Sequence, residues 1–174
     1  MTRVALSIGS NLGDCVFFMN SMVQLLRYVL EDMSVSELME TEPVGVDGPQ
    51  PPYLNRIVVG DCAYTPRQLL GACRRIEFIL GRTRESPRGP RTADIDILLF
   101  GDLLVNEADS PLPLIIPHPE LRNRRFCLYG LARIDPGIVV PAPGAGLTVG
   151  ELYENMGADV AAQNVFSIVD GEDC

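Results

Sequence analysis

The sequence predicts an α+β fold of the ferredoxin-like type, a βαββαβ sandwich in which helices pack on a mostly antiparallel sheet. The main observation is the order of the predicted elements, which runs strand, helix, two strands, helix and strand. The second is size, because 174 residues with 47% hydrophobic content suit one domain with a sizeable core. No internal repeat or linker divides the chain. A doubly wound parallel sheet is the alternative fold.

Apolar periodicity and turn residues predict the first three elements. A short, β-prone apolar run predicts a strand at Val4–Ile8. Asp14 ends the glycine-rich turn that follows, and Asp is a favoured helix N-cap. Apolar residues recur at helical spacing over Val16–Leu30, which predicts the first helix. Val35–Thr41 predicts the second strand.

The next three elements complete the predicted sheet. Tyr53–Cys62 is apolar and β-prone, and it predicts the third strand. Thr65 and Pro66 are typical of a helix start, an apolar face follows at helical spacing, and Gly81 ends the pattern. Ala93–Phe100 predicts the fourth strand.

Two long loops interrupt these elements. Glu42–Pro52 holds four Pro and two Gly in eleven residues, and Arg82–Arg91 is rich in Arg and Pro. Loops of this length in a compact domain are usually functional lids or binding loops. We therefore expect the functional site beside them.

The C-terminal third contributes shorter elements. Pro111–Pro119 is rich in proline and predicts irregular structure. Arg125–Ile134 predicts a short helix that Gly130 interrupts. Thr148–Met156 begins with a capping-box pattern and predicts another helix, and Gln163–Val169 predicts a last strand.

The charge and composition of the chain exclude several functions. The net charge of -9 argues against a nucleic-acid surface or an anionic membrane surface. All fourteen basic residues are Arg, which excludes the P-loop lysine, the protein-kinase lysine and Schiff-base chemistry. His118 is the single His, so a multi-His zinc site is excluded. The five Cys are scattered without a C-x-x-C pair, and we expect reduced thiols in a cytoplasmic protein.

Asp94 and Asp96 are the first candidate functional residues. In a strand, residues i and i+2 point to the same face, so the two carboxylates lie side by side, with Cα atoms about 7 Å apart. Repulsion between them is relieved by a cation, and Mg²⁺ is commonly held by one or two carboxylates together with substrate phosphates. A solvated face of an edge strand is the alternative interpretation.

Two groups of Arg bracket the acidic pair. Guanidinium groups bind phosphate through two hydrogen bonds and keep their charge, so this context favours a polyphosphate site. A solvated, charged loop is the alternative. The residues are Arg82, Arg84, Arg88 and Arg91 before the pair and Arg122, Arg124 and Arg125 after it.

Tyr53, Asn55 and Phe126 form a third candidate set. Aromatic faces sandwich flat heterocycles, and Asn offers a donor and an acceptor on one edge. Taken one at a time, each of these residues is more often a core or turn residue.

These motifs, taken in chain order, resemble the 6-hydroxymethyl-7,8-dihydropterin pyrophosphokinase family of folate biosynthesis. The most specific run is G-P-R-T-A-D-I-D-I at residues 89–97, followed by P-H-P at 117–119. The resemblance covers residues 5 to about 135 within a single predicted domain of residues 1–174, and it leaves the tail at 157–174 without a role. The other matching segments are residues 5–14, 41–45, 53–55, 75–77, 81–84 and 124–126.

The resemblance implies an ATP:alcohol diphosphotransferase. Such an enzyme moves the β,γ-diphosphate of ATP to the hydroxymethyl oxygen of the pterin and releases AMP. By matching positions, two Mg²⁺ ions would bind Asp94 and Asp96, and Arg82 and Arg91 would belong to a mobile catalytic loop. The implied ATP contacts are Glu77, Arg84, Arg91, Ile97, His118 and Arg124. The implied pterin contacts are Tyr53 and Phe126 as stacking rings and Thr41, Val44 and Asn55 at the polar edge.

One position departs from the family pattern. Many relatives carry Trp just before Gly-Pro-Arg, whereas this chain has Arg88 there and a loop that is one residue shorter. A catalytically weak relative that binds pterin and ATP is therefore the alternative function, and a generic nucleotide-binding domain is a third. The expected partners are the two small-molecule substrates, with no nucleic acid and no membrane, and we expect a monomer.

Overall fold

A six-stranded antiparallel sheet carries the elements that position the candidate site. The computed structural model describes residues 1–43, 48–83 and 89–168. Within these ranges the strands are β1 (Thr2–Ser10), β2 (Leu30–Val35), β3 (Leu38–Thr41), β4 (Tyr53–Cys62), β5 (Asp94–Phe100), β6 (Val105–Glu107), β7 (Leu114–Ile116), β8 (Val139–Val140), β9 (Leu147–Thr148) and β10 (Val165–Ile168). The helices are α1 (Cys15–Leu26), α2 (Pro66–Ile79), α3 (Arg125–Ile134), α4 (Val149–Glu154) and α5 (Ala158–Ala161), with a 3₁₀ turn at Leu121–Asn123.

The strand order confirms the predicted ferredoxin-like topology. The sheet runs β10-β3-β4-β1-β5, and β2 also pairs with β4. Every pairing in it is antiparallel. The order follows from the two helical crossovers, because α1 connects β1 to β2 and α2 connects β4 to β5.

Helices cover both faces of this sheet, and each face has its own hydrophobic core. The first core contains Met22 of α1, Cys73 of α2 and Ile97 of β5. The second contains Leu128 of α3 and Ile57 of β4, together with apolar residues of α4. The candidate site lies on the α3 face, as the strand register shows below.

The helix starts follow local rules that the sequence analysis used. The Asp14 carboxylate accepts a hydrogen bond from the Phe17 N–H at 3.0 Å and caps α1. Thr65 forms a complete capping box with Gln68 at the start of α2. Gly81 ends α2 with φ at 80°, a conformation that favours glycine.

The segment between the first helix and β4 differs from the prediction. The helix predicted to Leu30 ends at Leu26, and the strand predicted at Val35–Thr41 is two strands. The break falls at Ser36, whose hydroxyl accepts the Ile57 N–H at 2.9 Å and takes a place in the ladder that a main-chain carbonyl would fill. This side-chain hydrogen bond is a tertiary contact, so local periodicity does not reveal it.

Two further predictions about local structure were wrong. The proline-rich segment 111–119 is not wholly irregular, because β7 lies in it and pairs with β6. Gly130 does not interrupt α3, because the helix is continuous through it. The absent Cβ instead allows close packing on β4, since a Cβ at Gly130 would lie 2.5 Å from the Ile57 Cγ1.

The predicted last strand joins the main sheet. Val165–Ile168 pairs with β3 in an antiparallel register. No helix within the described ranges is long and apolar enough to cross a membrane.

Candidate active site

Strand register brings the predicted site residues to one face of the sheet. One row of paired residues crosses three strands: Asn55 of β4 lies opposite Gly9 of β1, and Gly9 lies opposite Asp94 of β5. Because side chains alternate along a strand, Tyr53 and Asp96 point to the same face as this row. Ile57 also shares this face and packs against Met39 and α3 residues in the second core. Because the Arg124 Nη1 donates to the Asp96 Oδ2 at 3.1 Å, the first turn of α3 lies over the candidate site.

Asp94 is bonded to two guanidinium groups. Its Oδ1 accepts a hydrogen bond from the Arg82 Nη1, and its Oδ2 accepts one from the Arg91 Nη1 at 3.1 Å. The side chains of all three are largely buried, with exposed fractions of 22% for Asp94, 12% for Arg82 and 16% for Arg91. The two predicted catalytic arginines, Arg82 and Arg91, therefore both bond Asp94, one of the two predicted metal ligands.

Glu77 extends this network from α2. It is 4% exposed, and its Oε1 accepts hydrogen bonds from the Arg82 Nη1 and, at 2.9 Å, from the Ile95 N–H. A buried carboxylate is stabilised by such hydrogen bonds and by an adjacent cation. Glu77 therefore fixes both the start of β5 and the direction of Arg82.

Asp96 has its own positively charged partner. The Arg124 Nη1 lies 3.1 Å from the Asp96 Oδ2, and the His118 Nε2 lies 3.7 Å from the same oxygen. Burial raises the pKa of Asp96 and the neighbouring Asp94 raises it further, while His118 and Arg124 oppose the increase. Burial lowers the pKa of His118. We therefore expect neutral imidazole beside a carboxylate whose charge depends on nearby cations.

Two main-chain contacts fix the position of His118. Its N–H donates to the Leu98 carbonyl at 2.9 Å, and its Nδ1 accepts the Glu120 N–H at 3.1 Å. The Nε2 is consequently the ring atom that faces Asp96. The contact with Leu98 also holds the segment after β7 against β5.

Thr41 and Asn55 form a buried polar pair beside Tyr53. The Asn55 Nδ2 donates to the Thr41 Oγ1 at 2.8 Å, and the residues are 5% and 8% exposed. Tyr53 lies opposite Thr41 in the β3–β4 ladder, and burial raises the pKa of its phenol. Phe126 lies in the first turn of α3 and packs against the second core. Among the described residues, Tyr53 and Phe126 do not stack on each other.

The structure adds Gly9 and Asn11, which the sequence analysis did not assign to the site. A Cβ at Gly9 would lie 2.9 Å from the Asn55 Oδ1, so glycine leaves space for that carboxamide. Asn11 is 1% exposed; its Oδ1 accepts the Arg91 N–H at 2.8 Å, and its Nδ2 donates to Gln50 and to the Pro51 carbonyl. The turn-forming sequence at residues 9–14 was the available signal for these two positions. It does not show their role, because their partners lie in segments that are distant in the chain.

Some predicted site residues stand apart from this cluster. The Ile97 side chain is 4% exposed in the first core, on the sheet face opposite the aspartates. A contact between Ile97 and ATP would therefore use its main chain. Arg84, Val44 and Arg88 lie outside the described residues.

The donor set at Asp94 and Asp96 fits a hard divalent cation. The two carboxylates lie two residues apart on one strand face, and both retain partial exposure, at 22% and 29%. No group of three or more His, Cys, Asp or Glu suited to a metal occurs in the described part of the chain. Two carboxylates without a closed cage suit Mg²⁺, which usually keeps water and substrate phosphate oxygens as its other ligands.

Comparison with known proteins agrees with this geometry. A family model for 7,8-dihydro-6-hydroxymethylpterin-pyrophosphokinase (HPPK) matches residues 5–136. The chain is 40% identical over 137 residues to a 2-amino-4-hydroxy-6-hydroxymethyldihydropteridine pyrophosphokinase of Bacillus subtilis, covering 77% of this chain and 79% of that protein. The protein of the same name from Aquifex aeolicus is 32% identical over 141 residues, covering 81% of this chain and 85% of its own.

Solved structures confirm the fold independently. A crystal structure of wild-type Plasmodium falciparum HPPK-DHPS superimposes with a TM-score of 0.71 at 16% sequence identity. The match covers 88% of this chain and 44% of that chain. The family match over most of the chain, together with the shared fold, shows that this chain belongs to the 7,8-dihydro-6-hydroxymethylpterin-pyrophosphokinase family.

Proposed function

We propose that this protein transfers the β,γ-diphosphate of ATP to the hydroxymethyl oxygen of 6-hydroxymethyl-7,8-dihydropterin, with AMP as the second product. The observation that carries the proposal is the convergence of Asp94, Asp96, Arg82, Arg91 and Arg124 on one sheet face. Family membership over residues 5–136 supports ATP as the co-substrate.

We assign the phosphate end of the site to the arginines. In diphosphate transfer, negative charge is spread over phosphate oxygens, and fixed guanidinium donors stabilise it. Arg82 and Arg91 bind the Asp94 carboxylate, which presents the same two-oxygen geometry as a phosphate. Both side chains are therefore able to exchange a carboxylate partner for a phosphate. The other proposed ATP contacts are Glu77, Arg84, Ile97, His118 and Arg124.

We assign metal binding to Asp94 and Asp96, with two Mg²⁺ ions as the proposed number. The metal would neutralise phosphate charge and lower the pKa of the substrate hydroxyl. Among the described residues, no strong general base is evident near the site, since the His118 Nε2 faces Asp96 and the Glu77 carboxylate bonds Arg82. The chain's own contribution is therefore positioning and charge stabilisation.

We assign the pterin to the region beside Asn55 and Tyr53. The Thr41–Asn55 pair offers hydrogen-bonding groups at a buried edge, and Tyr53 and Phe126 offer aromatic faces. Val44 is the remaining proposed contact.

We propose that the protein acts as a monomer in the cytoplasm, on these two small molecules and without nucleic acid or membrane.

The direct test is to mix the protein with MgATP and 6-hydroxymethyl-7,8-dihydropterin and to separate the nucleotides. We expect one AMP for each pterin consumed. Formation of ADP would mean transfer of a single phosphoryl group and would contradict the proposal. Binding of both ligands without turnover would favour the catalytically weak relative instead.

Asp96→Asn tests the metal assignment within that assay. The variant keeps side-chain size but removes the charge, so we expect turnover to fall by about three orders of magnitude. Asp102→Asn is the matched control, because Asp102 is an exposed carboxylate just after β5. We expect both variants to retain the wild-type circular dichroism spectrum. Near-normal turnover by Asp96→Asn would remove Asp96 from the metal site.

A further inference from the structure

The first turn of α3 carries two proposed site residues but lacks a local cap. Arg124 occupies the N-cap position with extended backbone angles, and its side chain makes no capping hydrogen bond. Its guanidinium is directed instead to Asp96. A helix start without a partner for its N–H groups frays readily. Fraying here would move both Arg124 and Phe126.

Gln163 supplies the missing cap from 38 residues further along the chain. Its Oε1 accepts the Arg125 N–H at 3.0 Å, and its Nε2 donates to the Asn123 carbonyl at 2.7 Å. These two groups belong to the peptide units on either side of the Arg124 Cα. One carboxamide therefore fixes both backbone torsions of Arg124, and with them the direction of its side chain.

The position of Gln163 is itself fixed by the sheet. β10 begins at Val165, which lies opposite Thr41 in the antiparallel pairing with β3. The Asn164 Nδ2 also donates to the Glu42 Oε1 at 3.3 Å. The segment 163–165 thus ties the end of β3, where Thr41 lies, to the start of α3. It lies outside residues 5–136, the part of the chain that the family model matches.

We propose that Gln163 is a positioning residue that holds Arg124 and Phe126 over the active site. The proposal rests on the assignment of Arg124 to ATP and of Phe126 to the pterin made above. The Gln163 side chain acts through the main chain of residues 123–125, while the Gln163 carbonyl also accepts a hydrogen bond from the Arg125 Nη1 at 2.9 Å, a contact that substitution of the side chain leaves in place. Its loss should weaken substrate binding while the sheet and both cores stay intact.

Gln163→Ala is the primary test, with steady-state kinetics for both substrates and thermal melting as readouts. The variant removes two hydrogen bonds at the helix start, so we expect the KM for MgATP to rise about tenfold with a smaller change in kcat. Ser167→Ala is the matched control, because Ser167 also lies in the C-terminal segment but bonds Glu37 and the Tyr129 hydroxyl in the middle of α3, away from the first turn. We expect Ser167→Ala to keep wild-type kinetics.

Gln163→Glu tests whether both ends of the carboxamide are needed. It keeps the oxygen that accepts the Arg125 N–H but replaces the Nε2 donor to the Asn123 carbonyl with a second acceptor, so we expect the KM for MgATP to rise as it does in Gln163→Ala. A Gln163→Glu variant with wild-type MgATP affinity would overturn the role of the carboxamide. So would a Gln163→Ala variant that matches Ser167→Ala in KM.

A double-mutant cycle with Arg124→Ala distinguishes failure of this inference from failure of the site assignment. If Gln163 acts through Arg124, Gln163→Ala adds little to the MgATP defect of Arg124→Ala. Full additivity would overturn the inference while leaving the role of Arg124 intact. An unchanged KM in Arg124→Ala alone would overturn the assignment of Arg124 and this inference with it.

Discussion

Arg91 shows at the scale of one residue how a long cationic side chain is held in position. Its side chain is bound to Asp94, and its main-chain N–H and carbonyl both bond to Asn11. Asn11 in turn bonds the loop at Gln50 and Pro51. One buried amide therefore connects both long loops to the end of β1.

Replacement of Arg91 tests the role of its guanidinium group. We expect Arg91→Ala to lower kcat by about two to three orders of magnitude, because a donor to the transferring group is lost. Single-turnover measurement of AMP formation checks this. Arg133→Ala removes the same charge from a side chain that is 64% exposed on α3, and it should be near wild type. A rise only in the pterin KM of Arg91→Ala would contradict the assignment.

At the scale of the element, two helical glycines have opposite roles. Gly130 of α3 packs directly on Ile57, and a Cβ there would lie 2.5 Å from the Ile57 Cγ1. Gly71 of α2 is exposed, and a Cβ there would meet no atom within 4 Å. Helix propensity alone favours Ala at both positions, so packing decides the difference.

Gly130→Ala and Gly71→Ala form a matched pair for this prediction. We expect Gly130→Ala to lower the free energy of unfolding by about 1–3 kcal/mol, because α3 must move away from β4. We expect Gly71→Ala to raise the free energy of unfolding by about 0.5–1 kcal/mol. Urea denaturation followed by circular dichroism measures both. Equal changes of the same sign would contradict the packing argument.

At the scale of the whole molecule, the main sheet separates two hydrophobic cores, one on each of its faces. Cys73 lies in the first core and Cys127 in the second, and both are fully buried. Burial raises the pKa of the Cys127 thiol to about 12 and also raises the pKa of Cys73. Because the thiolate is the reactive form, both side chains are protected while the sheet is intact.

Thiol labelling tests whether the two cores unfold together. We expect Cys73 and Cys127 to react at pH 8 only as the protein unfolds, and at the same urea midpoint, because they share the sheet. Cys15 is partly exposed and should react without denaturant. Peptide-level mass spectrometry distinguishes the three sites. Labelling of one buried thiol well before the other would show that the two layers unfold separately.

Several features of the fold and site were predictable because they depend on neighbours in sequence. The shared face of Asp94 and Asp96 follows from strand alternation, and the caps at Asp14 and Thr65 follow from local hydrogen bonding. The break at Ser36 and the continuity of α3 through Gly130 were not predictable in this way. Both depend on contacts with β4, which is distant in the chain.

The sequence by itself determined the order of the elements, the paired carboxylates and the motifs that identify the family. The tertiary structure alone decided which charges meet. Arg91 bonds Asn11 across 80 residues, Asp96 meets Arg124 across 28, and Gln163 caps α3 across 38. Periodicity specifies the face on which a side chain lies, whereas its partner depends on how the strands and helices pack.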